Sequence, residues 1–128
     1  MTSLLDTQAF LFASYEPARL SPAAQAAIAD TATERLLSDV SCWEMATKLA
    51  IGKLVVPGNL RDFIERQSRL LALRPLAITR EHTLRVASLP LHHRDPFDRL
   101  LVAQALLEGV PLISNDYTLD RYGITRIW

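Results

Sequence analysis

Two aspartates stand three residues apart in "HHRDPFDRLLVAQALLEG", residues 92–109, just ahead of a long apolar run. Asp95 precedes Pro96 and reads as a helix N-cap: its carboxylate can accept the unpaired amides of the first turn, and proline suits the first helical position. Asp98 falls in that first turn, where an acid favours the helix dipole. Residues three, four and seven further on, Leu101, Val102 and Ala105, share its face. A carboxylate at the head of an apolar stripe needs a partner, because an unpaired buried charge is costly.

Three more acids occupy comparable places. Asp6 ends the apolar run Ser3-Leu4-Leu5 and can cap the helix that follows. Asp116 follows "LISN", and Asn-Asp is also turn chemistry. Glu44 can complete a capping box with Ser41, or pair with Lys48 one turn on. Each local role is adequate alone. Together, however, four acids at strand ends and helix starts can line one cleft. Two like charges ~4 Å apart cost on the order of 4 kcal/mol at an effective dielectric of about 20, and a shared proton or a divalent cation relieves that repulsion. Oxygen donors without Cys or His suit Mg²⁺ or Mn²⁺ rather than Zn²⁺. Mg²⁺ keeps several waters, one of which can attack a phosphodiester. The chemistry indicated is hydrolysis of nucleic acid.

The elements that would position these acids follow from pattern. Residues 3–5 form a strand and residues 7–13 a helix. Ser21-Pro22 starts a second helix running to Ala32. Leu36-Leu37 is a second strand. Ser41 caps a helix through Ile51 that Gly52 closes. Asn59 opens a helix to Ala72, residues 76–78 form a strand, and Thr79 caps a helix to Leu89. Asp95-Pro96 begins the last long helix, which Gly109 stops. Residues 110–114 and 124–128 are strands, the latter at an edge. Short strands alternating with helices predict an α/β domain around a mainly parallel sheet, with ligands beyond the carboxyl ends of its strands.

The 128 residues fit a single domain, 1–128. Fourteen basic and fourteen acidic residues balance to zero net charge, which excludes a bulk positive field for polyanions. Local patches remain available: Arg61, Arg66, Arg69, Arg74, Arg80, Arg85, Arg94 and Arg99 fall in one central stretch, either as phosphate contacts or as a solvated face. The one cysteine, Cys42, rules out an internal disulfide and reads as a small buried hydrophobe. No membrane span or secretion signal is visible, so a cytoplasmic protein is expected.

"LLDTQAF", "SCWEMATKLAIGKL", "LPLHHRDPFDRLLVAQAL" and "LISNDYTLDRYGITRIW" resemble, in order, the sequence blocks of PIN-domain ribonucleases, and most closely the VapC-type toxins of bacterial toxin–antitoxin pairs. The resemblance spans nearly the whole chain. It implies a three-layer α/β/α domain and a metal-dependent endoribonuclease. Asp6, Glu44, Asp98 and Asp116 would hold Mg²⁺ or Mn²⁺ directly or through water. Thr7 and Ser114 match small hydroxyl positions beside the acids, and Asp95 stays a cap that touches the metal's water shell. Lys48, Arg94 and Arg99 are expected to steady the RNA backbone, with pairing to Glu44 as the alternative for Lys48. The partners implied are RNA, a second copy in a homodimer, and a small VapB-like antitoxin that covers the cleft. Gln8 departs from the family, where a His often follows the Asp-Thr pair. His92 and His93 invite an acid–base reading that the family does not require, and a solvated loop is expected for both.

Two other readings compete. A catalytically silent PIN domain would keep only the binding role, although all four acids are present. A Mg²⁺-binding receiver domain would need adjacent acids after the first strand and a late Lys. Here Asp6 stands alone and no Lys follows Lys53.

Overall fold

The computed structural model describes residues 1–128. In chain order the elements are β1 (Thr2–Leu5), α1 (Thr7–Tyr15), a 3-10 turn (Pro17–Arg19), α2 (Pro22–Ala29), β2 (Glu34–Ser38), α3 (Asp39–Ala50) and α4 (Leu60–Leu70). There follow β3 (Arg74–Leu76), α5 (Arg80–Val86), α6 (Pro96–Glu108), β4 (Leu112–Ile113), a 3-10 segment (Tyr117–Tyr122) and β5 (Arg126–Ile127).

The five strands form one parallel sheet in the order β3-β2-β1-β4-β5. Successive side chains of a strand point to opposite faces. Leu4, Leu36 and Leu112 therefore pack on one face against α6 residues such as Leu101 and Val102, and against Leu119 and Tyr122. Leu5, Leu37 and Ile113 pack on the other against Phe10, Ile28, Met45 and Phe63. Both faces are covered, which makes the domain three-layered and explains why the central strands carry consecutive apolar residues, Leu4-Leu5, Leu36-Leu37 and Leu112-Ile113.

The chain moves outward from β1 to β2 and β3, then returns across β1 to β4. The strand order reverses between β1 and β4, and in open α/β sheets the crevice beyond the carboxyl ends at such a switch point is where ligands bind. Leu5 pairs with Ile113 at this place, and the chain continues from them into Asp6 and Ser114.

Several expected boundaries move. Ser38, not Ser41, is the N-cap of α3, its hydroxyl accepting from the Val40 amide at 2.9 Å. Ser41 lies inside the helix and is buried, so no capping box joins it to Glu44. β3 occupies 74–76 rather than 76–78, because pairing with Leu36–Ser38 sets its register. α2 ends at Ala29 and α4 at Leu70, short of the ends expected; Ala72 takes a left-handed φ of 54° just beyond α4. Asp95 and Gly109 bound α6 as expected, Gly109 at φ 66°.

Candidate functional site

Four elements deliver the acids. Asp6 follows β1 and caps α1, its Oδ1 accepting from the Ala9 amide at 2.7 Å. Glu44 sits in the second turn of α3, Asp98 in the first turn of α6, and Asp116 beyond β4. All four line one cleft of about 370 Å³, together with Thr7, Gln8, Phe12, Arg19, Lys48, Asp95 and Asn115. Larger hollows exist elsewhere, one of 640 Å³ beside α4 and one of 660 Å³ at the C-terminal end of α6. Neither collects a set of like charges, so chemistry rather than volume singles out the smaller cleft.

Glu44 is buried and doubly held. Thr7 Oγ1 lies 2.6 Å from Glu44 Oε1 and Lys48 Nζ lies 2.5 Å from Oε2. The single Thr7 proton goes to the carboxylate, so Ser41, whose Oγ is 2.9 Å from Thr7 Oγ1, donates in turn. Burial works against the Lys48 ammonium, but the hydrogen bond and charge of Glu44 hold its pKa above the ordinary value, helped by Asp95 and Asp98.

The other three acids differ sharply in their environments. Burial lifts the Asp98 carboxyl to about 7, and the charges of Asp95, Asp6 and Glu44 push the same way. Burial also lifts Asp6 to about 6 against the Ser114 hydroxyl and the Ala9 amide, with Glu44 and Asp116 adding to the rise. Asp116 is lowered: hydrogen bonds from the Thr118 hydroxyl and amide and from His93 outweigh its burial. A crowded set of oxygen donors that resists full ionisation is the electrostatic condition a hard divalent cation relieves. The donor chemistry thus fits Mg²⁺ or Mn²⁺.

Asp95 caps α6, its Oδ1 accepting from Phe97 N at 2.8 Å and Asp98 N at 3.4 Å. Ser114 is buried behind the acids and accepts from the Asp116 amide at 3.1 Å. The expectations for the basic residues need correction. Arg99 is buried, and its guanidinium binds the carbonyls of Pro90, Val86 and Leu89 and the Tyr122 hydroxyl, so it is structural and cannot reach an RNA backbone. Arg94 is exposed and outside the residues lining the cleft. Arg19, over the Phe12 ring at 4.2 Å, lines the cleft instead. Nothing in its local sequence signals this, because the 3-10 turn that carries it follows an unremarkable helix end.

His93 also departs from the solvated-loop expectation. Its Nε2 is 3.1 Å from Asp116 Oδ2 and 3.5 Å from Asp98 Oδ2. His92, by contrast, stacks edge-on against Tyr122, ring centroids 5.1 Å apart.

A parallel sheet with helices on both faces and acids gathered at its switch point defines an α/β/α domain with an acidic cleft. Residues 3–124 match the PIN domain, and the chain belongs to that family. Among solved structures, it is similar to the VapBC2 complex of Rickettsia felis bound to a promoter DNA fragment: TM-score 0.71, 12% identity, 98% of this chain and 97% of that one covered. DNA-bound VapBC of Salmonella typhimurium gives TM-score 0.71 at 14% identity, covering 98% and 96%. FitAcB of Neisseria gonorrhoeae gives 0.61 at 17%, covering 97% and 95%. At these identities the likeness establishes the fold. No curated protein matches the chain by sequence.

Proposed function

We propose that this PIN domain is a metal-dependent endoribonuclease and the VapC-type toxin of a toxin–antitoxin pair. The observation that carries the proposal is the convergence of Asp6, Glu44, Asp98 and Asp116 at the switch point of a PIN fold. Asp6, Asp98 and Asp116 would hold Mg²⁺ or Mn²⁺, with Glu44 contributing through water. When bound, the cation neutralises the crowded carboxylates and supplies a polarised water and counter-charge for phosphodiester hydrolysis. The chain's own residues do the rest. Thr7 and Lys48 fix the Glu44 carboxylate, and the rim cations Lys48 and Arg19 hold the backbone phosphates of a single strand.

The similar structures described as VapBC and FitAcB support a small cognate antitoxin as partner. A homodimer and a cytoplasmic location belong to the same reading. No helix is long and apolar enough to cross a membrane. The test is growth. Expression of the wild type alone should arrest bacterial growth, co-expression of the protein encoded beside it should relieve the arrest, and Asp98→Asn should be harmless. Soluble wild type that leaves growth unchanged in its native host would overturn the toxin reading.

A further inference from the structure

His93 Nε2, Asp98 and Asp116 offer three donor atoms within 4.8 Å of one another, an arrangement that looks like a mixed nitrogen–oxygen metal site. The other ring nitrogen argues against that use. His93 Nδ1 accepts the backbone amide of Asp95 at 3.1 Å. An acceptor nitrogen carries a lone pair and no proton, so in this ring the hydrogen sits on Nε2. Metal-ligating histidines are built the other way round: the ligating nitrogen is bare, and the second nitrogen donates to a carbonyl, carboxylate or water. For Nε2 to bind a cation here, the proton would move to Nδ1 and face the Asp95 N–H, donor against donor.

The surroundings hold the ring to this state. The His93 amide donates to the Tyr122 hydroxyl at 2.9 Å, and the same hydroxyl lies 3.2 Å from Arg99 Nη1. The Asp95 amide that reaches Nδ1 belongs to the N-cap of α6, whose side chain is fixed by Phe97. The loop is therefore tied at the backbone on one side and at Nδ1 on the other. Nε2–H is left for Asp116, with the Asp98 carboxylate 3.5 Å away.

We propose that His93 is a positioning residue of the acidic centre: an imidazole protonated on Nε2 that donates to Asp116, lies beside Asp98 and stays outside the metal's ligand set. Asp116 is then held from both sides, by Thr118 on Oδ1 at 2.5 Å and by His93 on Oδ2 at 3.1 Å. The Asp116 carboxylate is thereby fixed beside Asp98 before any cation arrives. The metal-affinity part of this assignment rests on the reading of the cleft as a metal site, whereas the donor itself does not.

Three measurements test it. Long-range ¹H–¹⁵N correlation on the metal-free wild type should show His93 as the Nε2–H tautomer; an Nδ1–H tautomer overturns the assignment. Electron paramagnetic resonance of the Mn²⁺-loaded protein with ¹⁵N-labelled histidine should show no hyperfine coupling to a histidine nitrogen, and such a coupling that vanishes in His93→Gln also overturns it. Calorimetric titration with Mg²⁺ should show His93→Ala weaker than wild type by about ten- to a hundredfold, as for other outer-shell partners of metal ligands. His93→Gln, whose amide can still donate, should recover most of that loss. Unchanged affinity in His93→Ala overturns the positioning role. Wild type that binds neither Mg²⁺ nor Mn²⁺ overturns the metal reading of the cleft instead, and the tautomer measurement then decides the donor.

Discussion

Trp43 and Phe97 meet edge to face, ring centroids 4.6 Å apart and planes at 73°. Each ring immediately precedes an acid of the cleft, Glu44 or Asp98, so this contact couples α3 to α6 where their carboxylates must meet. Aromatic pairs of this geometry contribute ~0.5–1.5 kcal/mol beyond their buried area. A double-mutant cycle of Trp43→Ala and Phe97→Ala, read by urea unfolding, should return a coupling of that size. Simple additivity would show that the rings only share a neighbourhood.

The raised acids make the metal-free protein sensitive to pH. Asp98 and Asp6 titrate near 7 and 6 in the fold, against an ordinary 3.8. Between those values the folded chain binds more protons than the unfolded one, so these groups favour folding fully below the ordinary value and lose that contribution as pH rises through 6 and then 7. Asp116, being lowered, acts in the opposite direction at more acidic pH. In EDTA the melting temperature should fall from about pH 5 to about pH 8. Mg²⁺ should restore more stability at the upper end, and Asp98→Asn should flatten the slope. A melting temperature that climbs across this window in EDTA would refute the crowding account.

Asp95 and Asp98, three residues apart, should separate into different jobs. Asp95→Asn keeps the cap on Phe97 N and Asp98 N, since Asn caps a helix well, and should keep much of the cleavage activity. Asp95→Ala should cost about 0.5–2 kcal/mol of stability. Asp98→Asn, in metal-free solution, should be at least as stable as wild type because it removes a crowded charge. Melting curves and RNA cleavage for the three variants check the assignment. Loss of cleavage in Asp95→Asn with retention in Asp98→Asn would reverse the two roles.

Arg99 and Arg19 should likewise part company. Arg99→Ala strands the carbonyls of Pro90, Val86 and Leu89, and should destabilise the fold by on the order of 3 kcal/mol. Arg19 has an exposed, long contact to Glu16 at 3.8 Å and its Phe12 ring. Its removal should cost no more than ~1 kcal/mol while weakening RNA binding in EDTA. Equal binding by wild type and Arg19→Ala would remove it from the phosphate path.

Asp6, Asp95 and Asp98 were legible in place because local chemistry put them there: an apolar strand running into Asp6, a proline after Asp95, an apolar stripe behind Asp98. Glu44, whose spacing suits a local pair with Lys48, joined them only through the family resemblance. What stayed hidden depended on contacts distant in sequence. His93 meets Asp116 across 23 residues, and its second bond goes to a backbone amide that no side-chain pattern encodes. Arg99 reads as a surface charge until the carbonyls that bind it arrive from the end of α5 and the loop ahead of α6. Ser38 displaced Ser41 as the α3 cap because β2 runs through Ser38 and α3 starts at the next residue, and strand ends depend on sheet pairing rather than on local propensity.

Cleavage of single-stranded RNA by wild type and Asp98→Asn, purified identically, decides whether these acids make a metal-dependent ribonuclease. Wild type should cut with Mg²⁺ or Mn²⁺ and stop in EDTA, and Asp98→Asn should be slower by at least about a hundredfold, some 2.7 kcal/mol of barrier. Equal cutting by both proteins with the metal present, or cutting by wild type that EDTA leaves undiminished, would show that the acids do not carry a metal-dependent cleavage.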